Sequence, residues 1–188
     1  MLIGVLGFKY SGKDTTADYL VKNYDFTKIA FAQPMKDACK ILFNFDDEQL
    51  YGSKKEIIDC RWNVSPRTVF QHFGTEMFRR GINEIMPHIK DNFWVTLAID
   101  TYHNIVKKEP NIKVVISDVR FPNEIDAIHK ENGIVIKITR PEIISVDTHA
   151  SEDIENLRGD YEIINDGTLE NLYNKIDIIL ENIRKKRV

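Results

Sequence analysis

The 188-residue chain is 43% hydrophobic and 29% charged, with a formal net charge of −3, which fits one globular α/β domain with its own core and excludes a polynucleotide binder relying on a broad positive field. Its two cysteines, Cys39 and Cys60, lie far apart without C-x-x-C spacing and read as reduced thiols rather than a disulfide or zinc framework. With no apolar run near 18 residues and no signal-like leader, the expected setting is cytoplasmic, away from membranes.

Taken in order, "LIGVLG" at 2–7 predicts a strand ending in glycine, after which Ala17, Leu20, Val21 and Tyr24 recur at helical spacing. "FTKIAFA" at 26–32 predicts a second strand, and "PMKDACKILFNF" a helix entered at Pro34, where a missing N–H costs least. The polar stretch 46–65 reads as a loop or a loose helix. "SPRTVFQHFGTEMFRR" predicts a helix with Ser65 as N-cap, Pro66 at its first position and Val69, Phe70 and Phe73 as apolar stripe. A further helix runs from Asn92 to about Lys108, on which Trp94 either shields the site or packs in the core.

"KVVIS" and "IVIKIT" have the unbroken β-branched character of buried parallel strands, with a helix between them closed by Gly133. "RPEIISVDTHASEDIENLRGD" has no clear period and reads as a mobile crossover. "YEIIN" is the last strand, and Leu169, Leu172, Tyr173, Ile176, Ile179, Leu180 and Ile183 trace one face of a long final helix whose "RKKR" is a solvated end. Five strands alternating with helices predict a parallel sheet that presents its loops at the carboxyl ends of the strands.

The chemistry begins at "GFKYSGKD". Gly7, Gly12 and Lys13 meet the phosphate-loop pattern, in which glycines let backbone N–H groups converge on a β-phosphate and lysine bridges the β- and γ-phosphates. Lys9, Ser11, Thr15 and Thr16 complete the predicted ATP-binding set. The position that usually carries a metal-binding hydroxyl is Asp14. A carboxylate beside triphosphate makes sense as a Mg²⁺ ligand, direct or through water; alternatively Asp14 caps the helix and Thr15 takes the metal. Asp118, placed directly after the strand "KVVIS", is the expected second metal-site carboxylate, and Arg120 would face the same crevice.

"SGKDTTADYL", "FAQPMKDA", "SPRTVFQHFGTEMFRR", "ISDVRFPNEID", "ITRP", "DTHASE" and "NDGTLENLYNKI" occur in the order found in bacteriophage and viral deoxynucleoside monophosphate kinases, and the chain resembles that family along nearly its whole length. It resembles animal-type phosphomevalonate kinase more weakly, in the S-G-K-D turn and the P-x-K element. In that wider group aspartate after the loop lysine is the usual form. The resemblance implies a P-loop NTPase three-layer αβα sandwich with a five-stranded parallel sheet. It implies a single domain over 1–188, with an acceptor-binding helical region at about 33–108 and a lid at about 140–160.

The resemblance also implies roles. Lys36, Arg67, Gln71 and Arg79 would bind the acceptor nucleotide, with Gly74 and Thr75 letting the backbone pass close to it. Arg140 would approach the transferring phosphoryl group or stack on adenine, and Arg120, His149 and Glu152 would line the substrate. The implied reaction takes the γ-phosphoryl group from MgATP to a deoxynucleoside monophosphate, by positioning and charge neutralisation without a general base. The host cytoplasm is the implied setting if the source is viral, and related enzymes suggest a homodimer. The segment between "FAQPMKDA" and "SPRTVF" is shorter than in the larger phage enzymes, which leaves base selectivity open. Two other readings are a kinase for phosphomevalonate or a similar small phosphate, and a nucleotide-binding switch without a small acceptor.

Overall fold

A computed structural model describes residues 1–141 and 156–186. They divide into two compact units, one of 1–30 with 102–188 and one of 31–101, and the boundary at Thr101 and Tyr102 falls inside a helix.

The first unit is built on β1 (Leu2–Gly7), α1 (Lys13–Tyr24) and β2 (Phe26–Ile29); the chain returns to it through the end of α5 (Phe93–Lys108), β3 (Lys113–Val119), α6 (Pro122–Lys130), β4 (Ile134–Thr139), β5 (Tyr161–Ile164) and α7 (Leu169–Lys186). All five strands are parallel in the order β2-β3-β1-β4-β5. β1 is therefore central, with β2 reached on one side and β4 and β5 on the other, the arrangement that binds ligands beyond the carboxyl ends of its strands.

Both faces of β1 are buried, which is why its sequence is continuously apolar rather than alternating. Ile3 and Val5 face Ala17 and Leu20 of α1 and Leu172, Ile176, Leu180 and Ile183 of α7, in one core. On the opposite face α6 comes so close that a Cβ at Gly4 would lie 2.5 Å from Ile128 Cδ1. Helices thus cover the two sides of the sheet, giving the three-layer sandwich that the resemblance implies. α1 and α7 are joined further by Tyr19 and Tyr24, whose hydroxyls donate to Asp177 at 2.9 and 2.6 Å while Tyr19 stacks on Tyr173.

Two strands differ from expectation. β2 ends at Ile29 instead of running to residue 32, since Phe31 already belongs to the second unit. β3 continues past Ser117 to Val119, so Asp118 lies within the strand and not after it. Its pairing with β1 also slips: Gly4 pairs with Ile116, but Leu6 pairs with Val119, so three steps of β3 oppose two of β1. This bulge puts Val119, fully buried, on the α6 side near Gly4, a place that uninterrupted alternation would have assigned to Asp118. Asp118 is left half-buried.

The second unit contains α2 (Gln33–Phe43), α3 (Asp47–Leu50), α4 (Pro66–Gln71) and the first part of α5. Its core gathers Met35, Cys39, Phe45, Leu50, Val69, Phe70, Phe73 and Trp94. Pro34 opens α2 and Ser65 Oγ caps α4 by accepting from Thr68 N at 3.2 Å, as their positions predict. The polar stretch after α2 is more ordered than its composition suggests. Asp46 and Gln49 form a reciprocal capping box, and Asp59, held below the usual carboxylate range by Arg61 and Gln49, pins the following turn. The largest departure is at 72–80, where α4 passes directly into a π-helix, His72–Arg80, instead of continuing as an α-helix.

Candidate active site

β1 delivers Gly7 to the carboxyl edge of the sheet, and the chain then turns through residues 8–12 into α1, with Ser11 N donating to Phe8 O at 3.1 Å. Tyr10 and Gly12 both have positive φ, 66° and 103°. A Cβ at Gly7 would lie 2.7 Å from the backbone oxygen of Ile138, which cannot yield, so glycine is required there. The first N–H groups of α1 lack helical acceptors and, with the helix dipole, form an anion-binding end.

Lys13 is only 6% exposed although it is a lysine. Its ammonium lies 3.4 Å from Asp14 Oδ2, while Lys28 Nζ lies 3.8 Å from Asp14 Oδ1 and 2.8 Å from Asp18 Oδ1. The Asp14 side chain, 66% exposed, therefore sits beside two cations and open to solvent. Ser11 is 1% exposed, and its Oγ has no hydrogen-bond partner among the described residues. A buried hydroxyl left this way costs about 1–3 kcal/mol, and a phosphate oxygen would satisfy it. Thr16 is also buried, but its hydroxyl donates to Gly12 O at 3.0 Å and is used inside the first turn of α1. Thr15 is half-buried, and Lys9 holds its ammonium 5.0 Å from the centre of the Tyr10 ring.

At the end of β3, Arg120 is half-buried and opens the turn into α6. The carboxylate of Glu124, 2% exposed, accepts from Arg120 N at 2.8 Å and Phe121 N at 3.2 Å, which fixes that turn. Arg140 is exposed and follows the last residue of β4. His149 and Glu152 lie outside the described residues, as does most of the expected lid.

The acceptor candidates belong to the second unit. Arg67, Gln71, Thr75 and Arg79 recur every four residues. Along a regular α-helix such a row drifts by about 40° per step, so the ends would be about 120° apart. A π turn contains more than four residues and reverses the sense of that drift, so the change of helix type after Gln71 keeps all four along one ridge. Arg67 and Gln71 are half-buried, Thr75 is buried, and Arg79 is 7% exposed with Nη1 donating to Asp91 O at 3.3 Å. Lys36 is half-buried, its ammonium 4.4 Å from the centre of the Tyr51 ring. A Cβ on Gly74 would meet Met35 only at 3.7 Å, so glycine there is not a packing requirement. Trp94 belongs to the core, and its Nε1 donates to Gly74 O at 2.7 Å.

Two site residues were not singled out from the sequence. Lys28 looks like one polar residue of a short strand, and only pairing places its ammonium at Asp14. Asn165 sits in the quoted "NDGT", and its Nδ2 donates to Ser11 O at 2.9 Å. No local pattern reports a contact between residues 154 positions apart.

The family described as deoxynucleotide monophosphate kinase matches residues 1–60 and 43–176. A protein of Acanthamoeba polyphaga mimivirus, assigned by name to the same kinases, is 41% identical over 97% of each chain. The deoxynucleotide monophosphate kinase of Enterobacteria phage T4 is 28% identical, covering 93% of this chain and 96% of its own. Among solved structures, dephospho-CoA kinase from Campylobacter jejuni superposes with a TM-score of 0.54 over 100% of this chain and 98% of its own. Shikimate kinase from Aquifex aeolicus does so with 0.51 over 98% of each; both are 14% identical and share the fold.

Proposed function

The chain belongs to the deoxynucleotide monophosphate kinase family of ATP-dependent phosphotransferases, and from that premise we propose that it converts a deoxynucleoside monophosphate and MgATP to the diphosphate and ADP. The observation that carries the reading is the loop around Lys13, a buried lysine beside an anion-binding helix end, with a buried serine hydroxyl that lacks a partner among the described residues. Gly7, Lys9, Ser11, Gly12, Lys13 and the start of α1 would hold the triphosphate. The loop amides orient it, and Lys13 follows the charge that develops between the β- and γ-phosphates.

The residues present suit Mg²⁺. That ion is usually held by one or two carboxylates with substrate phosphates and water, not by a protein cage. Among the described residues no group of three or more His, Cys, Asp or Glu stands together for a metal, and Asp14 and Asp118 supply the sparse set required. When bound, held by Asp14 and Asp118, the ion would neutralise charge on the triphosphate.

In this reading the second unit holds the acceptor. Arg79, Arg67 and Lys36 would neutralise its phosphate, and Gln71 on the same ridge would read a base edge. An acceptor phosphate oxygen forms the new bond to the γ-phosphorus as the bond to the bridging oxygen of ADP breaks. That oxygen is already anionic at neutral pH, so no side chain need remove a proton. Arg120 and Arg140 would offset charge on the transferring group.

The test is ADP release from MgATP with dTMP, dGMP, dCMP, dAMP, their ribose counterparts and phosphomevalonate. Turnover with one or more deoxynucleotides supports the proposal. Turnover with phosphomevalonate alone, or ATP binding without acceptor-dependent turnover, overturns it.

A further inference from the structure

"NDGT", residues 165–168, remains without a role in the reaction above. Asn165 follows β5 directly. Its backbone N donates to Thr139 O at 2.7 Å, extending the ladder with β4, and its Nδ2 donates to Ser11 O at 2.9 Å. The turn that carries it is itself tied down. Lys175 Nζ donates to Ile164 O at 2.6 Å and to Asp166 Oδ1 at 2.9 Å, and Thr168 N donates to Asn171 Oδ1 at 3.0 Å.

The carbonyl of Ser11 and the N–H of Gly12 belong to one peptide plane. In a trans peptide they point in opposite directions. A phosphate loop works by turning N–H groups toward the anion, and a carbonyl turned inward would repel it. Gly12, at φ 103° and ψ 7°, cannot prevent such a flip, because glycine lacks the Cβ that makes one orientation costly. The amide of Asn165 holds the Ser11 carbonyl on the outer side, which directs the Gly12 N–H to the other. Glycine also makes the approach possible, since a Cβ on Gly12 would lie 2.6 Å from Asn165 Nδ2.

We infer that Asn165 is a positioning residue that locks the Ser11–Gly12 peptide in the orientation that receives the nucleotide's phosphate, an inference that rests on the phosphate-loop reading above. Asn165 itself touches no phosphate. Removing its donor frees the peptide to flip and weakens nucleotide binding without affecting the acceptor.

The test is ATP binding by calorimetry, without metal or acceptor, to the wild-type chain, Asn165→Ala and Asn165→Asp between pH 8 and pH 5. At pH 8 Asn165→Ala should bind about tenfold more weakly, as for loss of one buried hydrogen bond, and Asn165→Asp more weakly still, since its carboxylate faces a carbonyl. As pH falls and the aspartic acid regains an O–H donor, Asn165→Asp should overtake Asn165→Ala. In turnover, KM for ATP should rise in both variants while KM for the deoxynucleotide stays within twofold. Equal ATP binding by wild type and Asn165→Ala would overturn the inference alone, as would equal rises in both KM values or no pH-dependent crossing. A wild-type chain that binds no ATP would overturn the phosphate-loop reading and this inference together.

Discussion

Asp14 holds its Oδ2 3.4 Å from the Nζ of Lys13, the residue before it, and these two opposite charges share the first turn of α1. Lys13 is buried, whereas Asp14, although paired with Lys13 and Lys28, is open to solvent, where a divalent ion would reach it. Asp14→Ala should lower kcat by about a hundredfold, the scale seen when one group that stabilises transition-state charge is lost. The requirement for Mg²⁺ should rise as well. Initial rates over a magnesium titration check both, and an unchanged magnesium midpoint would remove Asp14 from the metal.

Arg79→Ala should act on the other substrate. In the proposed reading, the guanidinium of Arg79, 7% exposed, would contribute charge-assisted hydrogen bonds to the acceptor phosphate, each worth about 1.5–3 kcal/mol. KM for the deoxynucleotide should therefore rise at least tenfold, with KM for ATP nearly unchanged. If acceptor KM and kcat both stayed the same, the acceptor assignment would be wrong.

Trp94→Phe tests the π-helix. The ring would still fill the core of the second unit, but the N–H that meets Gly74 O at 2.7 Å would be gone. A half-buried carbonyl left without this donor costs about 1–2 kcal/mol, at the lower end of the range for buried groups, equivalent to a fall of about 5 °C in Tm for a chain of this size. Differential scanning calorimetry reads it directly, and a Tm within 1 °C of wild type would mean that the bond adds little.

Tyr24 makes stability depend on alkaline pH. Its hydrogen bond to Asp177, burial and the nearby negative charge raise its pKa from 10.0 to about 12. Between those values the folded chain keeps a proton that the unfolded chain has lost, so this contribution is complete below pH 10 and disappears as pH rises toward 12. Urea midpoints at pH 8, 10 and 11 should fall more steeply for wild type than for Tyr24→Phe. Parallel curves would contradict the assignment.

Local signals carried much of the architecture. Apolar runs marked β1, β3 and β4 because both faces of the central sheet are buried, and Pro34, Ser65 and Pro66 marked helix starts because their chemistry acts within a turn. Gly7, Gly12 and Lys13 were readable for the same reason. What escaped was long-range or depended on counting. Lys28 reaches Asp14 only through strand pairing, Asn165 reaches Ser11 across 154 positions, and no periodicity announces that a helix will widen after Gln71. Asp118 was identified as a residue but misplaced by one structural state, because a bulge is invisible until the partner strand is known.

That bulge has a consequence for descent. Because three steps of β3 are matched to two of β1, the exposure of Asp118 is set by how many residues the strand contains rather than by what they are. Deleting Ser117 would remove the bulge, leave Val119 opposite Leu6 on the α6 side and turn the carboxylate to the other face of the sheet, with no substitution anywhere. Lineages that gain or lose a residue here must therefore relocate the acidic group to another column, and an alignment that closes this gap would equate two positions facing opposite layers.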